Sequence, residues 1–201
     1  MPFVPIDLPG ADVALFEDFL NTTTAAHFQA ILEQTLPWRQ RQVIIAGIGY
    51  DEPRLTSWHG KAYSYSGNSL APAEMTGHLE HLKTLVQTAL GDAGIRVAPF
   101  NSALANLYRA GFRDSIGMHA DDERELGFEP AIASLSFGRA ATLKFGPKKG
   151  RPGARLSLTL APGSLLIMRG QTQRNYKHGI AKSPRPDDRN RLNITFRTIY
   201  T

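Results

Sequence analysis

The chain has 201 residues, 42% hydrophobic and 20% charged, which is enough for one sizeable core, and it has no cysteine, which excludes disulfides, thiolate metal sites and cysteine nucleophiles. No run approaches the ~18 apolar residues of a membrane-spanning helix, and the start MPFVPIDLPG shows neither a basic leader nor an apolar signal core, so neither export nor membrane association is expected. The net charge of +5 is uneven: residues 1–138 hold nine Lys or Arg against 16 Asp or Glu (−7), and residues 139–201 hold 14 against two (+12). Such a basic stretch either folds against the acidic remainder or faces a phosphate-rich partner, most simply nucleic acid.

In chain order, Asn21 with Thr22, Thr23 and Thr24 offers N-cap side chains. Phe28, Ile31, Leu32 and Leu36 recur at helical spacing, and Pro37 stops the run. VIIAGIG at 43–49 reads as a hairpin whose Gly47 and Gly49 permit a tight turn, and WHGKAYSYSGN at 58–68 as a strand or extended loop rich in aromatics. A second amphipathic helix opens near Pro72, carries Met75, Leu79, Leu82, Leu85, Val86 and Leu90, and closes at Gly91. From Ser102 the pattern changes to short β-type runs: SALANLY, AIASLSF, ATLKF, RLSLTL, SLLIMR, HGIA and RLNITFRTIY. Strands at this spacing with no helix between them indicate an antiparallel barrel or sandwich of the jelly-roll kind. PKKGRPGAR at 147–155 is the obvious long flexible loop. The expected class is α+β: an antiparallel jelly-roll (double-stranded β-helix) core with N-terminal helices on one face. One domain over 1–201 is expected, divided near residue 101 into an N-terminal extension and the core.

The chemistry concentrates in MHADDE at 118–123 and YKHG at 176–179. His119 and Asp121 are two apart, so on an extended strand they share a face, and His178 from a later strand completes a triangle. Two imidazoles and a carboxylate on one side of a metal leave the opposite positions open, as non-haem Fe(II) oxygenases require. The same set suits zinc and hydrolysis, and H-x-D alone is a weak motif. His27, His78 and His81 fall in the expected helices without a carboxylate at ligand spacing, and His59 sits among aromatics.

RNRLNITFRTIY at 189–200 favours the oxygenase. On a strand Arg191, Asn193, Thr195 and Arg197 share one face, opposite Leu192, Ile194 and Phe196. Two inward arginines need anionic partners, which a dicarboxylate supplies through paired charge-assisted hydrogen bonds. An outward basic stripe binding phosphate is the competing reading. Packing of the alternate face against the helices favours the inward one.

These residues resemble those of the AlkB family of dioxygenases, the nucleic-acid demethylases. The likeness runs in order through NLYRAGFRDSIGMHADDERELG, PAIASLSFG, APGSLLIMRG, YKHGI and RLNITFR, with PRLTSWHGKAYSYSG upstream similar to the nucleotide-recognition region. The resemblance implies Fe(II) ligation by His119, Asp121 and His178. It also implies 2-oxoglutarate contacts from Asn106, Tyr108 and Arg191, with Asn193 and Arg197 nearby, and O2 as the second cosubstrate. It further implies a flipped base stacked between His119 and an aromatic among Trp58, Tyr63 and Tyr65, with Glu123 lining the base pocket. The reaction implied is oxidative demethylation of bases of the 1-methyladenine and 3-methylcytosine type, releasing succinate, carbon dioxide and formaldehyde; a cationic base that cannot pair is cheap to flip out.

On this reading Lys148, Lys149, Arg151 and Arg155, with Arg174 and Lys177, grip flanking phosphates. The 43–49 hairpin lacks the aromatic finger of duplex-repairing relatives, so single strands are the expected substrate, with Ile44, Ile45 or Ile48 as a possible apolar wedge. A monomer in the cytoplasm, or in the nucleus of a eukaryote, is expected. RNA demethylation, protein hydroxylation by the same iron centre, and a non-catalytic nucleic-acid-binding module are the alternatives.

Overall fold

The computed structural model describes residues 3–45, 47–65, 68–70, 72–182, 185–186 and 188–200, with backbone alone at positions 45, 63–65 and 68–70. Two antiparallel sheets face each other. The larger is built from β1 (Val4–Pro5), β2 (Asp12–Phe16), β3 (Arg39–Ile45), β4 (Ile48–Gly60), β7 (Ser102–Tyr108), β9 (Ile132–Gly138), β12 (Leu165–Arg169) and β14 (Arg191–Arg197), in the order β1-β2-β12-β9-β14-β7-β4-β3. The smaller holds β8 (Ile116–His119), β10 (Ala141–Pro147), β11 (Leu156–Leu160) and β13 (Tyr176–Ile180), in the order β11-β10-β13-β8. A separate ribbon pairs β5 (Tyr63–Tyr65) with β6 (Asn68–Leu70). The large sheet draws strands from both sides of residue 101. Among the described residues no helix is long and apolar enough to cross a membrane.

Strand alternation sorts the core into two compartments. Ala103, Ala105, Leu107, Ala133, Leu135, Phe137, Leu192, Ile194 and Phe196 turn outward against the helices α1 (Thr22–Thr35) and α2 (Gly77–Asp92), which present Phe28, Leu32, Leu79, Leu82, Val86 and Leu90. The intervening positions, Leu104, Tyr108, Ile132, Leu166 and Met168, turn inward toward Leu143, Phe145, Tyr176 and Ile180 of the small sheet. This is the jelly roll with helices on one face that the periodicity implies.

The Asn21 side chain caps α1 by accepting from the Thr24 N–H at 2.9 Å. The second helix opens at Gly77 rather than near Pro72. Ala73 is held extended, its N–H donating to the Trp58 carbonyl and its own carbonyl accepting from Gly60, and Thr76 then supplies the cap. Val43 pairs with Tyr50 and Ile45 with Ile48 around Gly47 at φ +81, the expected hairpin. Four further features depart from expectation. β1, β2 and β8 come from segments too short or too irregular to show period-two alternation. A one-turn helix α3 (Thr172–Asn175) interrupts the strand-rich half just ahead of β13. β8 ends at His119, so Asp121 lies beyond the strand. The 147–155 segment is pinned rather than free: the Lys148 N–H donates to the Asn175 carbonyl, and Gly153 sits where a Cβ would lie 2.2 Å from the Tyr176 hydroxyl.

Candidate metal centre and cosubstrate pocket

His119 and His178 are register partners on adjacent strands, with ring centroids 4.4 Å apart. Asp121 reaches them from the following turn, where its N–H donates to the buried Gln173 side chain at 3.0 Å instead of to a ladder partner. One potential ligand atom from each of the three residues lies within 4.8 Å of the others. The carbonyl of Gly117 can only accept, so His119 Nδ1, 2.9 Å away, is the donor there, which leaves Nε2 as the nitrogen to offer a metal.

The electrostatics suit a cation. Asp121 is 1% exposed, and burial alone would raise its pKa. Arg197, whose Nη2 lies 2.7 Å from Oδ1, acts with His119 and His178 to hold the carboxyl below its ordinary value. Burial, reinforced by His119, pushes the His178 imidazole down to about 3, so it is neutral, and its buried Nδ1 has no hydrogen-bond partner. Two imidazoles and one carboxylate, each with a ligand atom within 4.8 Å of the others, fit a divalent metal such as Fe(II).

The same cavity runs along the inner face of the large sheet. Register sets its floor: Tyr108 lies opposite Arg191, Asn106 opposite Thr56 and Asn193, Leu104 opposite Trp58 and Thr195, and Ser102 opposite Gly60 and Arg197. The two arginines of β14 therefore stand at opposite ends, six residues or about 20 Å apart at Cα, with side chains long enough to lean toward each other. Their partners differ. Arg197 is neutralised from within the chain by Asp121. Arg191 is 1% exposed and donates from Nη2 to Ser136 Oγ at 3.2 Å, with its guanidinium 5.1 Å from the Tyr108 ring centre, and its Nε and Nη1 have no partner. Burial pushes its pKa down, but a guanidinium stays charged in proteins, so an anion is wanted there. Only one of the two inward arginines therefore waits for a ligand.

The comparisons agree with this geometry. A family model of the 2OG-Fe(II) oxygenase superfamily matches residues 12–197. The chain belongs to that superfamily. The alpha-ketoglutarate-dependent dioxygenase alkB homolog 3 proteins of Rattus norvegicus and Homo sapiens are each 38% identical to it over 198 residues, covering 94% of this chain and 64% and 66% of theirs. DNA oxidative demethylase ALKBH2 of Arabidopsis thaliana is 32% identical over 219 residues, covering 94% of this chain and 67% of that protein. The chain thus spans just under two thirds of the length of the alkB homolog 3 relatives. The solved structure of OsALKBH1 superposes with a TM-score of 0.65 at 18% identity, covering 98% of this chain and all of that one, and so shares the fold.

Within this superfamily member, Asn106, Tyr108, Arg191, Asn193 and Arg197 all line the cavity together with His119, Asp121 and His178. Asn193 is turned toward Ser134 Oγ at 2.8 Å and the Leu135 carbonyl at 3.0 Å. Among the described residues, those read for the nucleic acid are not part of that lining. Trp58 is 2% exposed, on the inner face of β4, and its indole N–H donates to the Lys61 carbonyl at 2.8 Å. The side chains of Tyr63 and Tyr65 lie outside the described residues. Glu123 is half-buried at the start of a 3-10 turn over Arg124–Leu126. Lys148 is engaged by Asp122 at 2.6 Å, whereas Lys149, Arg151, Arg155, Arg174 and Lys177 are exposed. His59 is a core residue: fully buried, with Nε2 2.8 Å from Ser57 Oγ and Nδ1 2.7 Å from the Glu74 carbonyl.

Sequence reasoning overlooked two contributors. Arg54 lines the cavity, and its signal was legible: Glu52, Arg54 and Thr56 alternate with Pro53 and Leu55, the same inward polar face that marks β14. Gln173, which holds the Asp121 N–H, carries no local signal because the contact spans 52 residues.

Proposed function

We propose that this chain is an Fe(II)- and 2-oxoglutarate-dependent dioxygenase, one domain over 1–201, that removes N-alkyl groups from nucleic-acid bases of the 1-methyladenine and 3-methylcytosine type, with single-stranded DNA preferred. The observation that carries the reading is a buried Arg191 with unsatisfied N–H groups in the same cavity as a His119–Asp121–His178 cluster. His119, Asp121 and His178 would hold the metal, which with 2-oxoglutarate and O2 supplies the oxidising power for hydroxylating an N-methyl group. Arg191 binds the distal carboxylate of the cosubstrate, with Tyr108 and Asn106 beside it. Arg197 fixes the Asp121 carboxylate, and Gln173 fixes its backbone. The apolar walls Leu104, Ile116, Leu143 and Met168 limit water around the reacting atoms.

The superfamily membership supports the chemistry, and the names of the alkB homolog 3 and ALKBH2 relatives support the substrate class. The hairpin supports the strand preference. Its described tip residues Ile44 and Ile48 are 73% and 57% exposed and aliphatic, and the nearest aromatic, Tyr50, sits two residues below Ile48. The exposure of Lys149, Arg151, Arg155, Arg174 and Lys177 supports their meeting flanking phosphates; Glu123 is read as lining the base pocket and Tyr63 or Tyr65 as stacking on the base, since Trp58 is buried. We read the chain as a monomer acting in the cytoplasm or nucleus, reducing compartments with which a cysteine-free chain is compatible.

The test is anaerobic loading with Fe(II) and 2-oxoglutarate, then oxygen and a 1-methyladenine oligonucleotide, with His119→Ala as control. Formaldehyde, succinate and repaired base are expected from the wild type alone, and equal product from the variant refutes the site. Methylated RNA or a protein extract outpacing DNA in succinate release would reassign the substrate.

A further inference from the structure

Besides Arg191 and Arg197 the cavity contains a third buried guanidinium, that of Arg54, and its counter-ion is unusual. Arg54 Nη2 lies 3.2 Å from Glu52 Oε2, with both side chains 6% exposed. Both groups project from the inner face of β4, and Arg54 Nε donates to Asn106 Oδ1 at 2.8 Å. Glu52 is framed from behind: Gln40 Nε2 donates to its backbone carbonyl, Gln40 Oε1 accepts from Arg109 Nη1 at 2.9 Å, and Arg109 is clamped to Asp114 at 2.8 Å. Burying a carboxylate is costly, and a guanidinium lining an anion-binding cavity has no need of one if its task is to bind the anion.

We propose that Glu52 is a positioning residue for the cosubstrate, acting through Arg54 on Asn106. This inference rests on the proposal that the cavity binds 2-oxoglutarate. Held by Glu52, the Arg54 guanidinium aims Nε at Asn106 Oδ1. That contact fixes the amide flip, so Asn106 offers its N–H2 donor to the cavity rather than its oxygen. It also occupies Arg54, so that a carboxylate arriving near Tyr108 is directed to the open N–H groups of Arg191. Without Glu52, Arg54 is an uncompensated cation that competes for the cosubstrate at the wrong place, and Asn106 is free to turn its oxygen toward an anion.

The experiment measures 2-oxoglutarate binding calorimetrically to Mn(II)-loaded protein without oxygen, beside Mn(II) affinity and thermal unfolding. Glu52→Gln is expected to weaken 2-oxoglutarate binding about tenfold, ~1.4 kcal/mol, with Mn(II) affinity unchanged. Because removing one partner of a buried pair can unfold a protein, the double variant Glu52→Met/Arg54→Met, which removes both charges, is measured alongside. It is expected to fold and to show the same tenfold loss. Asn106→Ala alone should match it, and adding Asn106→Ala to the double variant should weaken binding no further. A folded variant of the pair that binds 2-oxoglutarate as the wild type does, or losses that add, overturns the inference. A wild type that binds Mn(II) but not 2-oxoglutarate instead overturns the cosubstrate reading on which it rests.

Discussion

Replacing Arg191 by methionine separates what the residue does for the fold from what it does for the ligand. In the free protein its guanidinium is 1% exposed, with one 3.2 Å hydrogen bond and two N–H positions unpaired. Exchanging a poorly compensated buried charge for an apolar side chain of similar length is expected to be neutral or to stabilise by ~1–4 kcal/mol. In a domain of this size that raises Tm by about 2–4 °C per kcal/mol. With 2-oxoglutarate at about 100 times its Kd, the Mn(II)-loaded wild type should gain ~2.7 kcal/mol, hence roughly 5–10 °C. Losing a buried guanidinium–carboxylate pair costs ~2–5 kcal/mol of binding, so the variant at the same concentration should gain less than about 1 kcal/mol. Differential scanning calorimetry without oxygen reads both effects. An unaltered ligand-induced shift in Arg191→Met would show that the cosubstrate does not use this residue. A loss of more than about 2 kcal/mol without ligand would show that the guanidinium has an internal role.

His59 provides a pH test. Burial pushes its pKa below the ordinary histidine value of 6.5, so folding excludes the proton that the unfolded chain accepts. Stability present above pH 6.5 is therefore lost as pH falls below it, and in the metal-free protein His178 adds a loss of the same sign. Urea denaturation between pH 8 and 5 should give a shallower slope for His59→Gln than for wild type, and parallel slopes would dismiss the assignment. Oligonucleotide affinity should fall with salt, and neutralising Lys149, Arg151 and Arg155 together should flatten that dependence by up to about three charges; an unchanged slope rejects the phosphate role. Matched single and double strands should be repaired at different rates in favour of the single strand, and faster duplex repair would contradict the reading of the aliphatic hairpin.

Much of the architecture was local and so readable in advance. Period-two alternation in RLNITFR placed Arg191, Asn193 and Arg197 on one inward face, because a strand's side chains must alternate whatever it pairs with, and the family resemblance added Asn106 from SALANLY. The Asn21 cap and Gly47 turn are likewise decided within a few residues, and a cysteine-free chain left only His, Asp and Glu to bind a metal. The partners of those side chains were decided by pairings across the fold. Asp121 meets Arg197 over 76 residues and Gln173 over 52, and Arg54 meets Asn106 over 52. Nothing in the periodicity of one strand indicates which neighbour its polar atoms face, so the sequence showed two arginines in need of anions and could not show that Asp121 already satisfies one of them. It also left Trp58 as a candidate for stacking on a base, whereas sheet-on-sheet packing buries that ring. Alternation determined which residues enter the cavity; the closure of the two sheets determined which of them were left unsatisfied there, and Arg191 with the His119–Asp121–His178 cluster is what remained.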